Sequence, residues 1–314
     1  MPRGIIGGNH EGVILIRIVT DSTASIPRSV ADDNNIDVVS LFINWKDVEY
    51  QDASMDVDSF YEDIYEMITD IPTSSQPSQA AFEDIFEEAA GKGDEVIGIF
   101  MSSRMSGTVD GALRAARSVA ARHADFKYRI IDAMSNSYDE AYSVLAAASA
   151  RSAGCTLDQC CALAQKAVAA TRFLFTPESL RFLKAGGRIG RASALLGHIM
   201  KICPILTVTD GETTTFKKVR THKKAVAAIT NKFKEDIDEF GLKNVIVHYI
   251  GSSDEAVDWA RNVIEPLCGR TVSVVPVSPV IGLHVGPAIG IVYECERPLP
   301  GKLSPGSTAT VFAS

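Results

Sequence analysis

The 314-residue chain lacks any apolar run long enough to cross a bilayer. VILIRIV (13–19) is interrupted by Arg17, far short of the roughly 20 residues a spanning helix needs, and the leader before it carries no cleavage region. Positive charge is also short, with 31 Lys and Arg against 39 Asp and Glu and a formal net charge of −8. That balance argues against a general nucleic-acid or anionic-membrane binder and leaves only transient membrane contact open. The six cysteines (155, 160, 161, 203, 268 and 295) form no CxxC pair and no zinc spacing. They read as reduced, mostly buried thiols of a cytoplasmic protein. No GxxxxGK[ST] loop is present, and Gly91-Lys92-Gly93 lacks the third glycine of a dinucleotide fingerprint, so no cofactor or ATP site is expected. A GxSxG nucleophile elbow is missing too.

What remains is a composition of 46% hydrophobic and 22% charged residues, that of a globular protein with a sizeable core. Short β-branched runs alternate with helical patterns. Strands are expected at VILIRIV (13–19), IDVVSLFINW (36–45), EVIGIF (95–100) and KYRIID (127–132), with helices over 79–93, 109–122 and 138–152. MDVDSFYEDIYEMI (55–68) reads as a helix capped by Asp58; Asp56 and Asp58 suit capping better than a metal. This βαβαβ succession implies a parallel sheet with flanking helices. Gly154-Cys155-Thr156 marks the expected boundary, giving a flexible leader (1–13), an N-terminal α/β domain (14–154) and a C-terminal domain of α+β character (155–314) whose last strand returns towards the first. The second part reads as helices at 157–170, 178–187, 223–239 and 254–267, with strands at 173–175, 244–250 and near the end.

The stretch MSSRMSGT (101–108) follows a strand and precedes a helix, where ligands of parallel sheets settle and where free amides favour an anion. Its hydroxyls add donors without charge, so a carboxylate would stay ionised there even when partly buried. Plain helix capping by Ser106 or Thr108 explains the same residues. TSSQPS (73–78) likewise joins hydroxyls to a helix start, and His284 stands among glycines in IGLHVGPAIG (281–290). KAGGRIGR (184–191) and FKKVRTHKKA (216–225) are basic clusters, readable as solvated faces or as docking surfaces for phosphate or an acidic partner.

IVTDSTASIP, IPTSSQPSQAAF, IFMSSRMSGTVDGALRAA, LRFLKAGGRIGRASALLGHIMKICPILTVTDGE, KKVRTHKKA and GLHVGPAIGIVY, in this order from Ile16 to Tyr293, resemble the DegV family. The resemblance implies two α/β domains with a long-chain fatty acid buried in the interior and its carboxylate near the surface. It implies carboxylate contacts from Thr73 and Ser103, with Ser106 and His284 beside them. It also implies a partner, an ATP-dependent fatty acid kinase that converts the presented carboxylate to an acyl phosphate, with Arg188 and Arg220 serving docking or phosphotransfer. On this reading the chain is a non-catalytic lipid-binding subunit with no cofactor or metal.

Three departures stand out. Arg104 replaces the family's usual glycine, either pairing with the carboxylate or facing solvent; HVGPAIG has alanine for a second glycine; and SNSYDEAY (135–142) is more polar than the small residues usual there. Two other functions stay open: a lipid carrier or sensor without a kinase, and a serine hydrolase built from Ser103, His284 and Asp21.

Overall fold

The structure, a computed structural model, describes residues 14–196, 202–304 and 309–313. The expected leader 1–13 lies outside the described residues. Strands β1 (Ile16–Asp21), β2 (Ile36–Val39), β6 (Glu95–Phe100) and β7 (Tyr128–Asp132) form a parallel sheet. Its neighbours run β14-β7-β6-β1-β2, with β14 (Val311–Ala313) antiparallel on the outer edge. Alternate side chains are buried on both faces, as such a sheet requires. Ile18, Ile97, Ile99 and Ile131 pack with α5 (Ser137–Ser152) and α6 (Leu157–Ala170), while Val19, Val96, Phe100 and Ile130 pack with α3 (Gln79–Lys92) and α4 (Thr108–Ala120). A short helix, α1 (Arg28–Asp33), joins β1 to β2.

Two expectations from the sequence need correction here. The apolar run 36–45 breaks at Ser40-Leu41: β2 stays in the parallel sheet, whereas β3 (Phe42–Trp45) joins β4 (Val48–Gln51) and β5 (Thr73–Ser75) in a small antiparallel sheet ordered β4-β3-β5. The helix expected over 55–68 is α2 (Val57–Glu62) followed by a 3-10 turn (Glu66–Thr69). Asp56, not Asp58, caps it by accepting from the Ser59 amide, and Asp58 instead accepts the Tyr249 hydroxyl at 2.7 Å.

The second sheet is ordered β10-β9-β8-β13-β11-β12, antiparallel except for its β11–β12 pair. Its strands are β8 (Thr171–Pro177), β9 (Cys203–Thr209), β10 (Glu212–Val219), β11 (Leu242–Ile250), β12 (Ser273–Pro276) and β13 (Ala288–Cys295). One face carries α8 (His222–Phe240) and α9 (Asp254–Trp259), which runs through a π turn into α10 (Glu265–Cys268). The other face turns towards the parallel sheet, together with α7 (Arg181–Ala185) and α11 (Pro279–Val285). Along β8, Leu174 faces α8 while Phe173 and Phe175 face the junction. α6 shares its core with the parallel sheet, and β8 after it lies in the second sheet. All six cysteines are free, and burial pushes the Cys295 thiol up to about 12.

His248 of β11 stitches the two layers together. Its Nε2 accepts from the Tyr138 amide of α5 at 3.3 Å and lies 2.8 Å from the Ser137 hydroxyl; its Nδ1 therefore carries the proton and donates to the Val275 carbonyl at 2.7 Å. Burial holds its pKa down at about 4, against an ordinary 6.5. The unfolded chain takes up a proton in that window and the folded ring does not. Stability from this ring is whole above pH 6.5 and is withdrawn as the pH falls towards 4. Urea unfolding at pH 7 and pH 5 should show wild type losing about 2 kcal/mol more than His248→Gln across that interval. Equal losses would assign acid sensitivity elsewhere.

Candidate functional site

In the parallel sheet the chain steps from β1 to β2 on one side and returns to β6 on the other, so the switch point lies between β1 and β6. Ligand crevices form outside the carboxyl ends of strands at such a point. Here that edge faces the inner side of the second sheet, and a cavity of about 300 Å³ lies between them. Its walls are apolar: Leu41, Met101, Phe173, Phe175, Leu183, Val208, Val280, Ile281 and Val285. The polar groups that line it are Ser74, Ser75, Gln76, Ser106, Asn136, Thr213, His284 and Arg188. A void of about 10 Å³ beyond shares Phe173, Phe175, Ile281 and Val285 with it.

Ser74 Oγ and His284 Nε2 meet at 2.8 Å, joining β5 to α11 across the cavity wall. Ser106 Oγ lies 2.8 Å from Thr108 Oγ1 and lines the cavity; Gly107 is the N-cap of α4 and no side chain caps that helix, so neither Ser106 nor Thr108 is a capping residue. Arg188, exposed, donates from Nε to the Met105 carbonyl at 3.2 Å and from a terminal nitrogen to the Gly186 carbonyl at 2.7 Å. This ties the GGRIGR turn to the serine loop. Burial, reinforced by the charge of Arg188, lowers the His284 pKa to about 4, so the ring is neutral near pH 7. Its Nδ1 is buried without a partner among the described residues. A Cβ on Gly186 would stand 2.2 Å from that nitrogen, which is why no side chain fits there.

Ser106, His284 and Arg188 thus come together, whereas Thr73, Ser103 and Arg220 do not join them. In β5, Ser74 pairs with the fully buried Ile43 and turns inward, while Thr73 pairs with Asn44 and is exposed. Ser103 is exposed, and its amide and hydroxyl both donate to Asp132, at 3.3 and 2.5 Å. Arg220 follows β10 on an exposed stretch with Lys217, Lys218, Lys223 and Lys224. It lies about 20 Å along the strand from Thr213 at the cavity. Arg104 turns to Glu212 at 2.9 Å on the surface, away from the cavity. Of the TSSQPS stretch, sequence reasoning named only Thr73, not the lining residues Ser74, Ser75 and Gln76, and it did not name Asn136 or Thr213. Alternation along a strand at 73–75 sets Ser74 on the opposite face from Thr73, but it takes the pairing of Ser74 with Ile43 to show which side turns inward.

The hydrogen-bond chain of a serine hydrolase is not formed by Ser103, His284 and Asp21. Asp21 accepts from the Thr23 amide and hydroxyl and from the Met101 amide. The Ser74–His284 pair has a base depressed to about 4 and no carboxylate on Nδ1 among the described residues. Such a pair is suited to binding, not to activating a nucleophile at neutral pH. Among the described residues no group of three or more His, Cys, Asp or Glu is placed to hold a metal, and no helix is long and apolar enough to cross a membrane.

The sequence model of a family described as uncharacterised proteins of the DegV family matches residues 15–296. A DegV domain-containing protein of Clostridium acetobutylicum is 38% identical over 288 residues, covering 90% of this chain and 98% of its own. Among solved structures, a DegV family protein of Thermus thermophilus described as binding fatty acid superposes with a TM-score of 0.79 at 28% identity, over 90% of this chain and all of its own. DegV of Bacillus subtilis, described as a fatty acid binding protein, gives 0.80 at 27%, with the same coverage.

The geometry around His284 sets a steric test. Gly186→Ala should displace the imidazole from Ser74 and cost about 1–3 kcal/mol in thermal or urea unfolding, with altered His284 ring resonances. Gly187→Ala, with open space around its Cβ but a φ of +71°, should cost about 1 kcal/mol and leave those resonances in place.

Proposed function

Since the chain belongs to the DegV family, we propose that it binds a long-chain fatty acid, tail inward and carboxylate at the Ser74–His284–Ser106 mouth, and presents that carboxylate to an ATP-dependent fatty acid kinase for acyl phosphate formation. The observation that carries the reading is the cavity itself: apolar walls, and a mouth of hydroxyls and a neutral imidazole rimmed by one guanidinium. About 300 Å³ falls at the lower end of the range usual for small-molecule pockets.

Magnitudes explain the division of labour. Burying about fifteen methylenes at about 0.8 kcal/mol each yields roughly 12 kcal/mol. Association costs roughly 4–15 kcal/mol in lost freedom, so the tail supplies most of the affinity. Hydrogen bonds to the carboxylate, at about 1.5–3 kcal/mol each, decide which end faces out. Neutral donors suit this task, because they stabilise the anion where it is held without adding a second buried charge.

Kinase presentation rests on the resemblance and on two exposed basic features: Arg188 at the mouth, and Arg220 within the basic end of β10. Their separation favours Arg188 as the group beside the transferred phosphoryl and Arg220 as part of a wider docking face. A carrier without a kinase partner is the second reading, supported by the two carbonyl bonds that already occupy Arg188.

Native mass spectrometry of the purified chain should show a bound fatty acid. Ser74→Ala and His284→Leu should each weaken retention of added palmitate about tenfold or more, while Thr73→Ala and Ser103→Ala stay within about twofold. A chain that neither carries nor takes up fatty acid would end the proposal. With a cognate kinase, Arg188→Glu should keep the lipid but lose its phosphorylation; unchanged phosphorylation would favour the carrier.

A further inference from the structure

The family match stops at residue 296, yet described residues follow it: 297–304 bond to the second sheet at Arg172, Thr209 and Asp210, and β14 completes the edge of the parallel one. We propose that this segment, through Lys302 and Ser304, positions the 102–106 turn at the cavity mouth and thereby sets how fast a bound acyl chain leaves. The release part of this inference rests on the fatty-acid reading; the positioning part does not.

Three carboxylates carry the connection. Lys302, only 3% exposed, donates its ammonium to Asp139 at the start of α5. The same carboxylate oxygen accepts the Ser135 hydroxyl at 2.5 Å, and the Ser135 carbonyl accepts the Ser102 amide at 2.7 Å. Ser304 donates its amide and hydroxyl to Asp210 at 2.7 and 2.6 Å, and the Lys302 carbonyl accepts the Asp210 amide at 3.1 Å. Gly211, next in that turn, accepts the Ser102 hydroxyl at 2.8 Å. Beside β14, the Thr310 carbonyl accepts the Asp132 amide at 3.1 Å, and Asp132 is the acceptor that holds Ser103.

Two of these arms therefore end on one residue. Ser102 is fully buried, and its carbonyl accepts the Met105 and Ser106 amides at 2.9 and 3.1 Å, which closes the turn that lines the cavity. A surface arm runs parallel to them. Arg191 reaches both Asp210 and Glu212, and Glu212 also holds Arg104 of the same turn. Simple tethering of residues 297–304 needs no buried ammonium, since apolar side chains would pack there without desolvating a charge. The lysine meets Asp139, a carboxylate that also holds Ser135, the residue whose carbonyl takes the Ser102 amide, which points to alignment of that turn.

The experiment compares release of preloaded palmitate to phosphatidylcholine vesicles with amide hydrogen exchange of residues 101–106, in loaded and delipidated full-length chain. Ser304→Ala, and the charge-neutral pair Lys302→Met with Asp139→Asn, should each speed release about tenfold and raise exchange in 101–106; Ser304→Thr should restore both. Ile229→Ala, under α8 on the far face of the second sheet, provides a control that lowers the melting temperature without touching these contacts. Unchanged release and exchange in Ser304→Ala, or equal changes in Ile229→Ala at matched loss of melting temperature, would overturn the proposal. If the double variant does not fold, Ser304→Ala decides. A wild-type chain that retains no acyl acid would sink the fatty-acid reading alone, because exchange in 101–106 still tests the positioning.

Discussion

The carboxyl edge of a parallel sheet releases its chain into loops whose amides have no strand partner, and this protein meets that constraint with two aspartates at strand ends. Asp21 closes β1 and takes amides from its own 3-10 turn and from Met101 at the end of β6. Asp132 closes β7 and takes amides from Met134 and Ser103. Both are buried, and desolvation raises the pKa of Asp21 even against those bonds. Lose either carboxylate and the loop that shapes the cavity mouth loses its anchor, because buried amides without acceptors are costly. The switch point between β1 and β6 is consequently a fixed frame, and the second sheet closes over it.

That frame explains why the cavity divides as it does. The rigid edge contributes hydroxyls and backbone, while the inner face of the second sheet contributes Phe173, Phe175 and Val208, which no polar loop could supply. Two of the polar connections between the layers carry no charge: His248 is neutral and fully bonded, and His284 is neutral and bonded on one side. Arg172 and Asp236 are a buried ion pair at 2.8 Å, with the Tyr293 hydroxyl adding a second bond to the same carboxylate oxygen.

Much of the architecture was legible in the amino-acid sequence because it is local. EVIGIF is β6 over its full length, and the helices over 79–92, 157–170 and 222–240 follow their apolar spacing closely. The α/β class and the family follow from the same regularities together with six ordered motifs. What was not legible depends on partners far along the chain. Nothing in IDVVSLFINW reveals that its halves join different sheets, since the break at Ser40-Leu41 exists only once β5 pairs with β3. The site suffers from the same blindness: Thr73 and Ser74 are chemically alike, and only the register opposite Ile43 separates them. Ser103 looks like a free donor until Asp132, twenty-nine residues later, claims it.

The uncharged character of the Ser74–His284 pair reaches beyond geometry. Dipoles held within the protein interior are barely screened by dissolved ions, unlike surface ion pairs. In the proposed fatty-acid site, a grip built from them would keep its strength across dilute and concentrated media. The outer guanidinium of Arg188 and the surface pairs of Arg104 and Arg191 with Glu212 do feel ionic strength, so a dependence on added salt would report on the rim of the cavity and not on its floor.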